Sequence, residues 1–208
     1  MDTSARASAR PTLRVAPLAA GDRPRVDAIL RATGVFRDDE VAVALELFDE
    51  AYGTGATERG AGSVDGASRS DALHAPHSPL EPPAQVDGAV DYTFLGAYTH
   101  EGTLLGYACY GPTPATDRTY DLYWIAVDPA AQGAGAGTVL LGAVERRLAE
   151  ARARLLVVET SSRAEYDATR GFYAARGYRE AARVGHFYAP GDDRVIYTKR
   201  LEEPAAGG

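Results

Sequence analysis

The apolar positions change period several times along the chain, and each change marks an element. Residues 12–16 alternate apolar and polar, which predicts a short first strand. After a turn at 17–22, Val26, Ile29 and Leu30 share one face of a helix that Asp22 can cap and that ends near Gly34. A second helix is predicted over 40–52, capped by Asp38 or Asp39, with Val41, Leu45 and Phe48 on one stripe and Ala44 beside them. Between about 53 and 88 no period survives, and Gly, Ser, Ala and Pro dominate; this reads as a disordered insertion. Order returns with strands at 92–98 and 103–110, joined by His100, Glu101 and Gly102. A third long strand is predicted over 119–127 and a helix from Gly137 to about Arg152. The continuous apolar run at 154–159 has the pattern of a buried parallel strand. A helix beginning at Ser161 or Ser162 and reaching Ala174 or Ala175 follows. Two final strands, near 182–188 and 195–201, flank a hairpin turn at 190–193.

Residues 1–10 and 202–208 read as flexible tails, so 11–201 form a single domain. The element order is β-α-α-β-β-β-α-β-α-β-β, an α/β chain of the α+β, mixed-sheet kind. At 208 residues, with 45% hydrophobic and 25% charged positions, the chain can bury a real core. Its net charge of −7 gives a long-range field of the wrong sign for nucleic acid or an anionic membrane, and mildly favours cationic molecules. The single cysteine, Cys109, forms no intrachain disulfide and sits in a strand pattern, which predicts a packed, inert thiol. The first ten residues lack the apolar core of a secretory signal, and no apolar run reaches membrane-spanning length; the expected compartment is the cytoplasm. His74 and His77 flank Ala75 and Pro76 without a second ligand pair, so no metal is expected.

The chemistry concentrates between Trp124 and Thr138: W-I-A-V-D-P-A-A-Q-G-A-G-A-G-T. A strand ends at Asp128-Pro129, a nearly bare loop alternates Gly133, Gly135 and Gly137 with alanines, and an amphipathic helix begins. Glycines permit close approach and unusual backbone angles, and a helix start offers unpaired N–H groups and a positive dipole end, so the stretch can cradle an anion. A tight strand–helix connection without a ligand is the plainer alternative. A P-loop requires Lys and Ser/Thr after its last glycine, and none follows Gly137. A dinucleotide fingerprint requires a glycine where Thr138 stands, although Glu159 could supply its acid. The pattern Gln/Arg-x-x-Gly-x-Gly/Ala is met at every position from Gln132 to Gly137.

That loop resembles the acetyl-CoA pyrophosphate loop of the GNAT acyltransferases. A second motif agrees: Phe172-Tyr173, three residues, then Gly177-Tyr178 is similar to the family's F-Y-x-x-x-G-F/Y. The resemblance spans about 12–201 and is carried by motifs from 119 to 178. It implies a central mixed, mostly antiparallel sheet with helices on both faces, and an N-acetyltransferase in which an acceptor amine attacks the thioester directly. The chain departs from the family pattern at Tyr166, where asparagine is common, at Thr169, where alanine is, and at Gln132, where arginine is more usual.

The resemblance also assigns roles. The N–H groups of Gln132, Gly133, Ala134, Gly135, Ala136, Gly137 and Thr138 would hold the pyrophosphate. The strand carrying Ile125, Ala126 and Val127, splayed from its neighbour, would pair with pantetheine and offer an N–H to the thioester oxygen, where charge develops. Tyr173 would protonate the leaving thiolate, since a phenol of reference pKa about 10 is protonated at neutral pH. Glu159 is the first candidate base for the acceptor and Asp121 the second. For Glu159, a cap on the next helix or an ion pair with Arg163 is an equal alternative, and for Phe172-Tyr173 it is a purely aromatic core face. The expected acceptor is a small-molecule, amino-acid or peptide amine, with Tyr107, Tyr110, Tyr120 and Tyr123 suiting a cationic or aromatic group. A non-catalytic acyl-CoA sensor is the alternative function. Homodimers are common in the family; nothing in the sequence demands one.

Overall fold

The computed structural model describes residues 12–53 and 92–201; the expected tails and nearly all of the expected insertion, with His74 and His77, lie outside them. Strand β1 (Arg14–Pro17) leads to α1 (Arg23–Thr33) and α2 (Asp38–Tyr52). Then follow β2 (Thr93–Tyr98), β3 (Leu104–Pro112), β4 (Thr119–Val127), α3 (Ala136–Glu150), β5 (Leu155–Ser161), α4 (Asp167–Ala174), β6 (Arg179–Ala189) and β7 (Asp192–Arg200). The strands form a 7-stranded sheet in the order β1-β2-β3-β4-β5-β7-β6. Only β4 and β5 run parallel; every other neighbouring pair is antiparallel.

Each face of the sheet has its own core. Val26, Ile29 and Leu30 of α1 and Val41, Ala44, Leu45 and Phe48 of α2 pack on one face with Phe94, Tyr107 and Trp124. Leu140, Leu141, Val144 and Leu148 of α3, with Tyr173 of α4, pack on the other with Leu95, Leu122, Leu156 and Val158. The helical stripes read from the sequence are therefore the buried ones, since removal of apolar surface from water is what holds these helices to the sheet. Cys109 is buried as expected, and burial pushes its thiol well above the usual range.

Element ends differ where side chains have other partners. Asp22 precedes α1, but its carboxylate accepts from the Ala19 N–H at 2.8 Å and the Tyr98 hydroxyl at 2.7 Å instead of capping the helix. Helix α2 starts at Asp38, with Glu40 closing its first turn by accepting the Arg37 N–H at 2.8 Å. Neither Ser161 nor Ser162 starts a helix. Ser161 Oγ donates to Asp192 at 2.5 Å and accepts the Arg163 N–H at 3.0 Å, and Ser162 Oγ accepts the Asp193 N–H at 2.7 Å. Both serines thus bind the start of β7, strand β5 continues to Ser161, and α4 begins only at Asp167.

Candidate active site

The site begins with an irregularity in β4. Cys109 pairs with Trp124, but the next residue, Tyr110, pairs with Leu122, so Tyr123 is an extra residue on β4. Such a bulge bends a strand and resets which face its side chains take. Leu122 packs toward α3, whereas Tyr123 and Trp124 pack toward α1 and α2. Beyond the bulge β4 leaves β5: their parallel pairing ends at Leu122 with Val158. Ile125, Ala126 and Val127 keep their bonds to β3 and have no β5 partner.

The gap opens as a cleft of about 560 Å³. One end is the glycine loop. The Asp128 carboxylate accepts the Ala130 N–H at 2.8 Å and pairs with Arg25 of α1, which also donates to the Leu104 carbonyl at 3.0 Å. The loop then turns through Gly133 (φ 83°) and Gly135 (φ 88°), left-handed angles that L side chains adopt only with strain. Gly135 is the N-cap of α3. Among the described residues, no carbonyl accepts from the N–H groups of Gly133, Gly135, Ala136, Gly137 or Thr138. Several free N–H groups at a helix start form an anion site. The Ala134 N–H is spent on the Ala131 carbonyl at 3.1 Å, and Ala134 alone of the ten expected cofactor residues does not line the cleft. The Gln132 N–H is likewise spent, on Pro129 at 3.2 Å, which leaves its side chain and its place in the wall.

Beside this loop stands Arg176, at the C-terminal end of α4 and 38 positions from its partner Thr138. Its guanidinium donates to Thr138 Oγ1 at 2.5 Å and to the Phe172 carbonyl at 2.8 Å, and lies 3.7 Å over the Phe172 ring. Arg176 is the one lysine or arginine lining the cleft among the described residues. Its position is an unspecified one in the F-Y-x-x-x-G-Y motif, so the motif carries no sign of it.

Tyr173 and Glu159 both line the cleft; Asp121 does not, and is buried with its carboxylate accepting the Thr113 hydroxyl at 2.6 Å. Tyr173 is buried, and burial raises its phenol well above the usual range, so it stays protonated. Among the described residues nothing hydrogen-bonds its hydroxyl. Glu159 Oε1 accepts from the Tyr188 hydroxyl at 2.6 Å, and its other oxygen pairs with Arg194. Arg163, the partner considered from sequence, reaches Asp192 at 3.5 Å instead. Burial raises the Glu159 carboxyl, opposed by the Tyr188 hydrogen bond and the Arg194 charge. Tyr166 and Thr169, the departures from the family pattern, also face the cleft, as does Thr160, whose buried hydroxyl has no partner among the described residues.

A family model, described as the acetyltransferase (GNAT) family, matches residues 67–178. The chain belongs to the GNAT acetyltransferase family. A GNAT-family protein from Desulfovibrio desulfuricans, described as an acetyltransferase, shares 33% of its sequence with this GNAT chain, at TM-score 0.69 over 92% of this chain and 100% of the other. The ribosomal-protein-S18-alanine N-acetyltransferase of Escherichia coli has the same fold at 18% identity and TM-score 0.62, over 95% and 99% of the two chains. So does an acetyltransferase from Salmonella typhimurium solved with its cofactor acetyl-CoA, at 16% identity and TM-score 0.60, over 95% and 98%. No curated protein sequence matches this GNAT chain. Among its described residues no group of three His, Cys, Asp or Glu side chains could hold a metal ion, and no helix is long and apolar enough to cross a membrane.

Proposed function

We propose that the chain transfers an acetyl group from acetyl-CoA to the amine of a small molecule or a peptide-like acceptor, by direct attack in this cleft. What supports the reading is one observation: the unpaired edge of β4, the free N–H groups of the glycine loop and the Tyr173 hydroxyl line a single cleft. Gly133, Gly135, Ala136, Gly137 and Thr138 would hold the pyrophosphate through backbone N–H groups, with Arg176 supplying the charge that Gln132 does not. Ile125, Ala126 and Val127 would pair with the pantetheine arm. Acetyl-CoA, when bound, supplies an activated acyl thioester.

Three groups of the chain then act. A backbone N–H of β4 stabilises charge on the thioester oxygen. Glu159 receives the acceptor's proton, directly or through the Tyr188 hydroxyl that donates to it; burial favours this by raising its affinity for a proton. Tyr173 donates its phenolic proton to the departing sulfur. The test is CoA release across an amine panel by the wild type and by Tyr173→Phe. Turnover by the wild type that falls in the variant, with acetyl-CoA binding kept, supports the reading. Tight acetyl-CoA binding with no turnover on any amine would instead favour a non-catalytic sensor.

A further inference from the structure

At the end of the cleft away from the glycine loop, the wall is built by Phe36 and Glu40 from the α1–α2 junction, Tyr123 and Trp124 from the β4 bulge, Tyr166, and Tyr188. Aromatic faces of this kind attract cations. Glu40 is only 3% exposed, yet it faces the cleft. Its Oε2 accepts the Arg37 N–H at 2.8 Å, and among the described residues nothing bonds its second oxygen. Closing the first turn of α2 asks for an acceptor oxygen, which a glutamine also has; it does not ask for a charge.

Neither neighbouring cation forms an ion pair with Glu40, although the charges of both reach it and the Nε and Nη2 of Arg163 are buried without a hydrogen-bond partner among the described residues. Arg37 is held by Asp39, at 3.1 Å and 2.5 Å. Arg163 reaches Asp192 at 3.5 Å and lies 5.4 Å over the Tyr166 ring. No lysine, arginine or histidine among the described residues forms an ion pair with Glu40. A buried carboxylate without a counter-charge is costly, and burial accordingly pushes this one up to about 7, with only partial relief from the Arg37 N–H bond and the Arg37 and Arg163 charges. Arg176, beside the loop at Thr138, lines the same cleft as Glu40 and Glu159. Glu159 already has Arg194; Glu40 lacks such a partner.

We propose that Glu40 is a specificity residue that pairs with a second ammonium group on the acceptor, so that the preferred acceptors are small aliphatic diamines or triamines and not monoamines. The inference rests on the reading that acetyl-CoA occupies the loop end of this cleft and the reacting amine lies near Glu159. One ammonium meets the charge of Glu40 among the aromatic rings, and the other end of the chain presents the free amine for acetylation.

The test compares 1,4-diaminobutane with n-butylamine for the wild type and Glu40→Gln, which keeps the capping oxygen and removes the charge. Acetyl-CoA binding is measured first by thermal shift in both proteins, and amine binding is also measured by calorimetry with CoA present. The wild type is expected to favour the diamine, chiefly through KM, and Glu40→Gln to lower kcat/KM for the diamine by about 30-fold or more. Butylamine turnover and the acetyl-CoA shift are expected to stay within about 3-fold and unchanged, respectively. Glu40→Asp should recover part of the diamine preference. Equal handling of the two amines by the wild type overturns the proposal. So does an equal loss on both amines in Glu40→Gln, which would make Glu40 a base or a structural residue. A wild type with no acetyl-CoA shift overturns the underlying acetyltransferase reading itself, and this separates the two failures.

Discussion

Tyr173 reaches the cleft from a helix whose neighbours, Tyr178 and Tyr197, pack around its ring at 5.4 Å and 6.3 Å between centroids. Removing its hydroxyl leaves that packing in place, so Tyr173→Phe is expected to fold normally. General acid catalysis contributes about 10²–10⁴-fold, so kcat should fall within that range while KM for acetyl-CoA moves little, as steady-state assay of CoA release would read. Arg176 makes a different prediction. If it is the counter-charge of the pyrophosphate, Arg176→Gln should weaken CoA binding about tenfold, which is about 1.4 kcal/mol, and flatten its dependence on salt. Calorimetric titrations at two salt concentrations measure both effects, and an unchanged affinity would remove Arg176 from the cradle. The places of Tyr173 and the glycines in the cleft wall were legible in the sequence, the glycines from their alternating spacing and Tyr173 from the motif that resembles the family's. Arg176 and Glu40 were not: Arg176 meets a residue 38 positions away, and Glu40, whose hydrogen bond is the local one from the Arg37 N–H, looks like any polar residue in the first turn of a helix.

At the scale of elements, the apolar pattern located every strand and α-helix of the described residues but not the short 3-10 turns at 20–22, 129–131 and 164–166, and the largest error at an end fell where a polar side chain has two possible uses. Ser161 and Ser162 have the chemistry of helix caps, but β7 passes close enough to take them, and no local pattern reveals which partner wins. The bulge at Tyr123 was equally silent, although it decides which side chains of β4 enter the cleft. Helix α2 carries a stability prediction. Glu40 is raised from an ordinary 4.5 to about 7 in the folded chain, so the folded state holds this proton more tightly than the unfolded one. Its contribution is therefore present at low pH and is lost as pH rises from about 4.5 to about 7. Glu40→Gln removes the penalty, so at pH 8.5 it should stabilise the chain by about 1–3 kcal/mol, and at pH 5 by only about a quarter of that. Thermal melts at the two pH values read this directly, and equal shifts at both would contradict it. Strand β3 offers a second test. A Cβ on Gly106 would sit 2.6 Å from the Ala126 carbonyl oxygen and 3.1 Å from the Val127 Cα, and neither backbone atom can swing away. Gly106→Ala should thus lower stability by about 1–3 kcal/mol through forced separation of β3 from β4.

Over the whole molecule, the sheet is continuous on one side of the β4–β5 gap and continuous on the other, but across the gap only 119–122 and 155–158 are paired. Arg25 links α1 to Leu104 and to Asp128 at the entrance of the glycine loop, which joins the helical layer of one face to the loop that begins α3 on the other. A ligand in the cleft would touch β4, the loop, β5 and α4 together, and these elements come apart when the chain unfolds. Binding only to the folded state stabilises by mass action, about 2.7 kcal/mol at one hundred times Kd. For a chain of this size each kcal/mol shifts the melting midpoint by about 2–4 °C, so saturating acetyl-CoA should raise it by about 5–10 °C. CoA should act similarly, because the pyrophosphate and pantetheine are shared, and NAD should have little effect. Gly135→Glu places a side chain where φ is 88° and a negative charge where the N–H groups converge. It is expected to melt somewhat lower than the wild type by itself, from backbone strain, but still cooperatively, and to show no shift with acetyl-CoA. A wild-type shift that persists in Gly135→Glu would place the ligand elsewhere on the molecule, and the splayed sheet would then need another reason to stay open.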